Sequence, residues 1–176
     1  MKRSILIIPC FAALFLASCG GDTTTETQSV DASASQSFDG IFLEASPEGA
    51  IPVVAARAKA TPGETLTVSG KVAGVMNPFT EGFASVVLSD EKLETCDLIP
   101  GDSCSTPWDA CCVDNDDITE QLMTIQVVGE DGMPVAESLK GVKGLKEMDS
   151  LVVTGTVNEA SNADNLILDV TGLFQN

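Results

Sequence analysis

Apolar and polar residues alternate over five short stretches of the chain. Leu66, Val68, Gly70 and Val72 interleave with Thr65, Thr67, Ser69 and Lys71, a period of two that predicts a strand with one buried face. The run GFASVVLS (82–89) predicts a second strand. Met123, Ile125 and Val127 within 122–128 predict a third, Leu151, Val153, Gly155 and Val157 a fourth, and Leu166, Leu168 and Val170 a fifth. Asn77-Pro78, the stretch Glu130 to Pro134 and the stretch Asn162 to Asn165 supply turns between them. In two places the period lengthens. Ile51, Val54, Ala55 and Ala58 within 47–60 fall at helical spacing, so a helix of about two or three turns starts near Pro47 and Pro52 and stops at Thr61-Pro62-Gly63. Leu139, Val142, Leu145 and Met148 lie three apart and predict a short helix, weakened by Gly141 and Gly144 at about 1 kcal/mol each relative to alanine.

The expected fold class is therefore mainly β: a small five-stranded barrel with one short helix between strands three and four, preceded by an N-terminal helix. This order, with the phrases LTVSGKVAGV and LKEMDSLVVTGTV, resembles the OB-fold, a partly open Greek-key barrel, and the resemblance spans most of residues 46–176. It implies a binding face on the second and third strands, without naming a ligand. Aromatic residues for such a face are few. Phe79 and Phe83 are the candidates near it, although Phe83 alternates as a core residue would, and Trp108, the single tryptophan, is the third.

At the N-terminus, Lys2 and Arg3 precede an apolar stretch from Ile5 to Leu16, too short for a permanent span, and then Leu16-Ala17-Ser18-Cys19. The string LASC resembles the lipobox of bacterial lipoproteins. That resemblance implies removal of residues 1–18, Cys10 included, a lipid on Cys19, and an anchor in the cell envelope, at the outer membrane if the cell is diderm, since Gly20 rather than Asp follows. Residues 19–45 read as a flexible tether, because GGDTTTETQSVDASASQS buries little, while Phe38-Asp-Gly-Ile-Phe-Leu43 at its end brings apolar residues back and reads as a short strand or a segment docked on the domain.

Removing the leader takes two of the nine cations and none of the 26 carboxylates, which leaves a net charge near −19. A surface so acidic repels phosphate backbones, so nucleic acid is not expected as a partner. Histidine and tyrosine are absent, which removes the usual general base, the Ser-His and Cys-His pairs and the histidine ligands of catalytic zinc. No catalytic residue and no cofactor is expected. The expected role is a non-catalytic binding or structural module whose partners are the membrane, through the lipid, and an envelope protein or glycan.

Four of the six cysteines, Cys96, Cys104, Cys111 and Cys112, crowd into an insertion at 90–120 that also holds ten acidic residues and one basic one, Lys92. In an oxidising envelope, two disulfides joining Cys96 and Cys104 to the adjacent pair are the expectation, with Pro107 and Trp108 packed over the sulfurs. The alternative is a metal-handling or thiol-redox lipoprotein using Cys104, Cys111 and Cys112. Zinc knuckles normally show shorter C-x-C gaps, adjacent cysteines suit Cu(I), and the aspartates at 97, 102, 109 and 114 are expected to raise thiol pKa values and suppress reactivity. Asp114-Asn115-Asp116-Asp117 with Glu120 only loosely matches a calcium loop and reads as a solvated face.

Overall fold

The computed structural model describes Phe38 and residues 40–176. The leader, Cys19 and the tether up to residue 37 lie outside the described residues. Six strands form one sheet: β1 (Ile51–Pro52), β2 (Thr65–Lys71), β3 (Ser85–Ser89), β4 (Leu122–Gln126), β5 (Ser150–Val157) and β6 (Ile167–Gln175). Their order is β1-β2-β3-β4-β6-β5, and β5 pairs back onto β2, so five strands close a mixed barrel and β1 is an extra strand. Pairing is antiparallel except between β4 and β6 and between β1 and β2. Closure is uneven. Seven residue pairs join β2 to β5, whereas Lys71 opposite Ser89 alone joins β2 to β3, and β1 takes up part of the free β2 edge at Val68 and Ser69.

The period-two reading places the inward residues of most strands correctly. Leu66, Val68 and Val72, Met123, Ile125 and Val127, Leu151, Val153 and Val157, and Leu166, Leu168 and Val170 are all buried. Around β3 the phase is the opposite of that expected. Ala84, Val86 and Leu88 face the core, so Phe83 is 48% exposed.

The N-terminal helix, α1, spans Val53–Lys59, two turns with Pro52 as its N-cap. Its buried face is Val53 and Ala56 rather than the expected Ile51, Val54, Ala55 and Ala58, because Pro52 sets the start and leaves Ile51 in β1; Val54 is 44% exposed. Two polar side chains fasten α1 to the barrel. Buried Asp90 accepts the Val54 N–H at 3.1 Å, and Arg57 donates to the carbonyls of Leu122, at 2.8 Å, and Ala163. Burial lowers the Arg57 pKa, against the opposing pull of Glu120 and Asp164.

In place of the helix expected between the third and fourth barrel strands stands one 3-10 turn, Val142–Gly144. Gly141, Lys143 and Gly144 have φ of 86°, 50° and 85°, a left-handed backbone that a right-handed helix cannot contain. Leu139, Val142 and Leu145 are nevertheless buried, so the spacing by threes marked core residues and not a helix. A helix the periodicity did not signal, α2 (Asn115–Glu120), precedes β4.

Within the stretch read as the end of the tether, Phe38 is fully buried and Phe42 bridges to Leu173 in parallel. Leu43 N–H donates to Leu173 O and Leu173 N–H to Ile41 O, both at 2.7 Å. The segment thus extends the sheet beside β6. No helix among the described residues is long and apolar enough to cross a membrane.

Candidate functional site

The acidic, cysteine-bearing insertion is the connection between β3 and β4. Its base is closed where Ser89 pairs with Leu122 and Asp90 N–H donates to Gln121 O at 2.8 Å. Inside it two limbs run side by side: Cys96 N–H donates to Asp109 O at 2.8 Å and Asp97 N–H to Pro107 O at 3.0 Å. The loop is also tied to the barrel wall. Lys71 Nζ donates to the buried Thr95 hydroxyl at 3.0 Å, Gly74 N–H donates to Trp108 O at 2.7 Å, and the Trp108 indole N–H donates to Met76 O at 2.9 Å. Trp108 therefore fastens the loop to the 74–76 turn. With its backbone groups paired in this way, the loop meets the requirement for internal order without a covalent staple.

Among the described residues no two cysteine sulfurs lie at bonding distance. Cys96 and Cys111 approach to 3.6 Å between sulfurs and Cys111 and Cys112 to 3.9 Å, well beyond a bond of about 2.05 Å. Instead of pairing two by two, the sulfurs of Cys96, Cys104 and Cys111 lie within 4.8 Å of one another, the one such grouping of cysteine, aspartate and glutamate among the described residues. Limb pairing explains the convergence. The hydrogen bonds from Cys96 and Asp97 across to Asp109 and Pro107 lay the first limb against the second, just before Cys111. Cys96 is buried beneath the group, Cys104 is half-buried, and Cys111 and Cys112 are exposed.

The three thiols differ in acidity. Desolvation, with hydrogen bonding to Cys111 and Cys104, pushes Cys96 up to about 12. Cys111 is also raised: its hydrogen bond with Cys96 pulls down but is outweighed by the Cys112 thiol, burial and the charge of Asp109. Cys104 runs against the expectation of uniformly raised thiols. The Thr106 hydroxyl, 3.3 Å away, and the Thr106 backbone N–H stabilise its thiolate more than burial and Asp102 oppose it. Thiolate is the species that alkylates, so in the reduced, chelator-treated chain at neutral pH iodoacetamide is expected to modify Cys104 at least about tenfold faster than Cys96. Timed labelling with peptide mass mapping checks this, and equal rates would contradict the assigned environments.

The expected aromatic face separates. Phe79 is 9% exposed and belongs to the core cluster, with Lys140 Nζ 5.7 Å from its ring centroid, so it is not available for stacking; Phe83 stays on the surface and Trp108 is half-buried in the loop. Glu91, Glu94, Asp97, Asp102, Asp114, Asp117 and Glu120 are exposed on the loop, while Asp90 and Asp109 are buried and bonded to backbone N–H groups. A separate cleft of about 530 Å³ lies between α1 and the 161–163 turn, lined by Arg57, Glu120 and Asn162. Arg57 and Asp90 had no sequence signal, because a lone charged residue reads as surface until its distant partners are placed. No protein-family model, curated protein or solved structure matches this chain.

Proposed function

We propose that the chain is a lipid-anchored envelope protein, a non-catalytic module whose OB-like barrel holds out the 90–120 loop to a neutral or cationic partner. The OB-like reading is supported by a barrel order of β2-β3-β4-β6-β5 closing on β2, with β4 and β6 parallel. The non-catalytic reading is supported by the lack of histidine and tyrosine, and the anchor by the LASC string ending at Cys19. The observation that carries the partner reading is the loop itself. Seven exposed carboxylates against one exposed lysine sit on a segment pinned to the barrel at Thr95, Trp108 and Gln121. A rigid acidic surface steers basic partners and repels nucleic acid. The convergence of three sulfurs favours a second reading, a metal-handling role for the same loop.

Two measurements test the first reading. In fractionated cells the wild-type chain is expected in the envelope membrane and Cys19→Ala in the soluble fraction; a soluble wild-type chain overturns the anchor. In crosslinked envelopes, neutralising Asp97, Asp102 and Asp114 to asparagine is expected to lower adduct yield at least about tenfold. Undiminished adducts would place the partner elsewhere on the molecule.

A further inference from the structure

We propose that Cys96, Cys104 and Cys111 form a binding site for one thiophilic d10 metal ion, Zn(II) or Cu(I), held by three thiolates between the two limbs of the β3–β4 loop. The site rests on the loop's own geometry and on its thiols being reduced, so loss of the lipid or of a partner leaves it intact, whereas oxidation of the sulfurs abolishes it.

The number of sulfurs is the first argument. A disulfide satisfies sulfurs in pairs, yet three converge here within 4.8 Å, and the fourth cysteine stands outside that triangle while remaining 3.9 Å from Cys111. An ion accommodates all three. Metal–sulfur bonds of about 2.3 Å put neighbouring thiolates about 3.8 Å apart around a tetrahedral centre and about 4.0 Å apart around a trigonal one. The 3.6 Å between Cys96 and Cys111 is close to both spacings, and the whole triangle needs an adjustment of about 1 Å at most.

The donor set selects the ion. All three atoms are sulfur, and the carboxylates closest along the chain have partners of their own: Asp97 accepts the Thr95 hydroxyl at 2.5 Å, and Asp109 accepts Ala110 N–H and Asp102 accepts Ser103 N–H, both at 2.8 Å. Calcium and magnesium require oxygen ligands, whereas thiolates prefer Cu(I) and Zn(II). Charge favours occupancy as well. Three thiolates in a loop whose only cationic side chain is Lys92 repel one another, and a cation between them removes most of that repulsion. Binding converts three thiols to thiolates and releases three protons to solvent, with no change of oxidation state. Access is provided from one side, since Cys96 is buried below while Cys104 is half-buried and Cys111 exposed.

The test uses the purified full-length chain, reduced, metal-stripped and kept anaerobic, titrated with Zn(II) and with Cu(I) in competition with chromophoric chelators. One ion per chain is expected. Cys104→Ser and Cys111→Ser, at accessible positions that leave the core untouched, are each expected to weaken binding by at least about 100-fold, beyond what loss of an outer-shell partner costs. Cys112→Ser separates the two ions: Cu(I) affinity stays within about twofold if three sulfurs suffice, and Zn(II) affinity falls if Cys112 completes a tetrahedron. Circular dichroism of each variant confirms that it is folded. Failure of the reduced chain to bind either ion stoichiometrically overturns the site. So does a chain whose thiols, blocked at the moment of cell lysis, resist alkylation and whose intact mass is two hydrogens lighter per bridge, because the cysteines are then paired as disulfides.

Discussion

Gly155→Val is expected to leave no folded population, and Gly155→Ala to cost about 3 kcal/mol. Gly155 sits in β5 where the pairing with β6 shifts register between Thr154 and Gly155. A Cβ built there lies 2.3 Å from Asp169 O and 2.9 Å from Asp169 C, both backbone atoms of the neighbouring strand, and 3.0 Å from Leu168 Cγ. Flexible side chains move aside for an added methyl; a paired backbone does not, so any β-carbon must pry β5 from β6. Those two strands share the most extensive pairing in the barrel together with β2 and β5, from Leu151 opposite Gln175 to Val157 opposite Leu168. Domains of this size are stable by about 5–15 kcal/mol, so alanine consumes a large part of that margin and valine exceeds it. Urea unfolding of the purified chain, followed by Trp108 fluorescence and circular dichroism, measures it. An alanine variant within about 0.5 kcal/mol of wild type would show that β5 and β6 are not in this close contact.

Phe38→Ala is expected to destabilise the chain by about 3–5 kcal/mol, the usual cost of emptying a fully buried aromatic site. Phe38 has no exposed surface and belongs to the same core cluster as Val53, Leu168 and Leu173. The loss propagates. Once the ring is gone, the residues behind it are held by the hydrogen bonds of Ile41 and Leu43 to Leu173 and by the Phe42 bridge, and these are at the edge of the sheet. Limited proteolysis of the variant is expected to cut between residues 38 and 45, where the wild type resists. A cost below about 1 kcal/mol with no new cleavage would mean that the segment before β1 contributes nothing to the core. The outcome also locates the point at which the chain leaves the barrel. If Phe38 is essential, the fold extends seven positions ahead of the residue 45 boundary read from composition.

The sequence marked the two residues unequally. Phe38 opens an apolar run that reads as a strand or docked segment, yet the polar, Ser- and Thr-rich run before it carried the tether boundary on to residue 45, and only its distant core partners show that the ring is fully buried. Gly155 fitted an alternating strand pattern as a small inward residue, and nothing local distinguished it from an ordinary strand glycine. The strands themselves were legible because a period of two is a local property: Leu66 and Val68 share a face whatever lies opposite them. The phase around β3 was misread because Phe83 was counted as part of the strand, whereas pairing begins at Ser85 and puts Phe83 outside it. The helix expected at Leu139 to Met148 failed by the same logic. Spacing by threes recorded that Leu139, Val142 and Leu145 reach the core, but four left-handed residues there, Gly141, Lys143, Gly144 and Met148, exclude the helix.

The amino-acid sequence by itself determined the class of fold, the inward faces of four of the five barrel strands, the acidic surface, and the place of the cysteine-bearing insertion between two strands. It also removed histidine-based chemistry from consideration. Tertiary structure alone decided that β5 closes on β2, that Phe79 is buried while Phe83 is not, and that Asp90 and Arg57 bind α1 to the barrel. It alone turned a spacing that suggested paired disulfides into a triangle of three sulfurs. The division follows from range. Alternation and charge are written in consecutive residues, whereas the sulfur triangle depends on hydrogen bonds between Cys96 and Asp109 and between Asp90 and Gln121, contacts that come into existence only when the β3 and β4 ends of the loop are brought together.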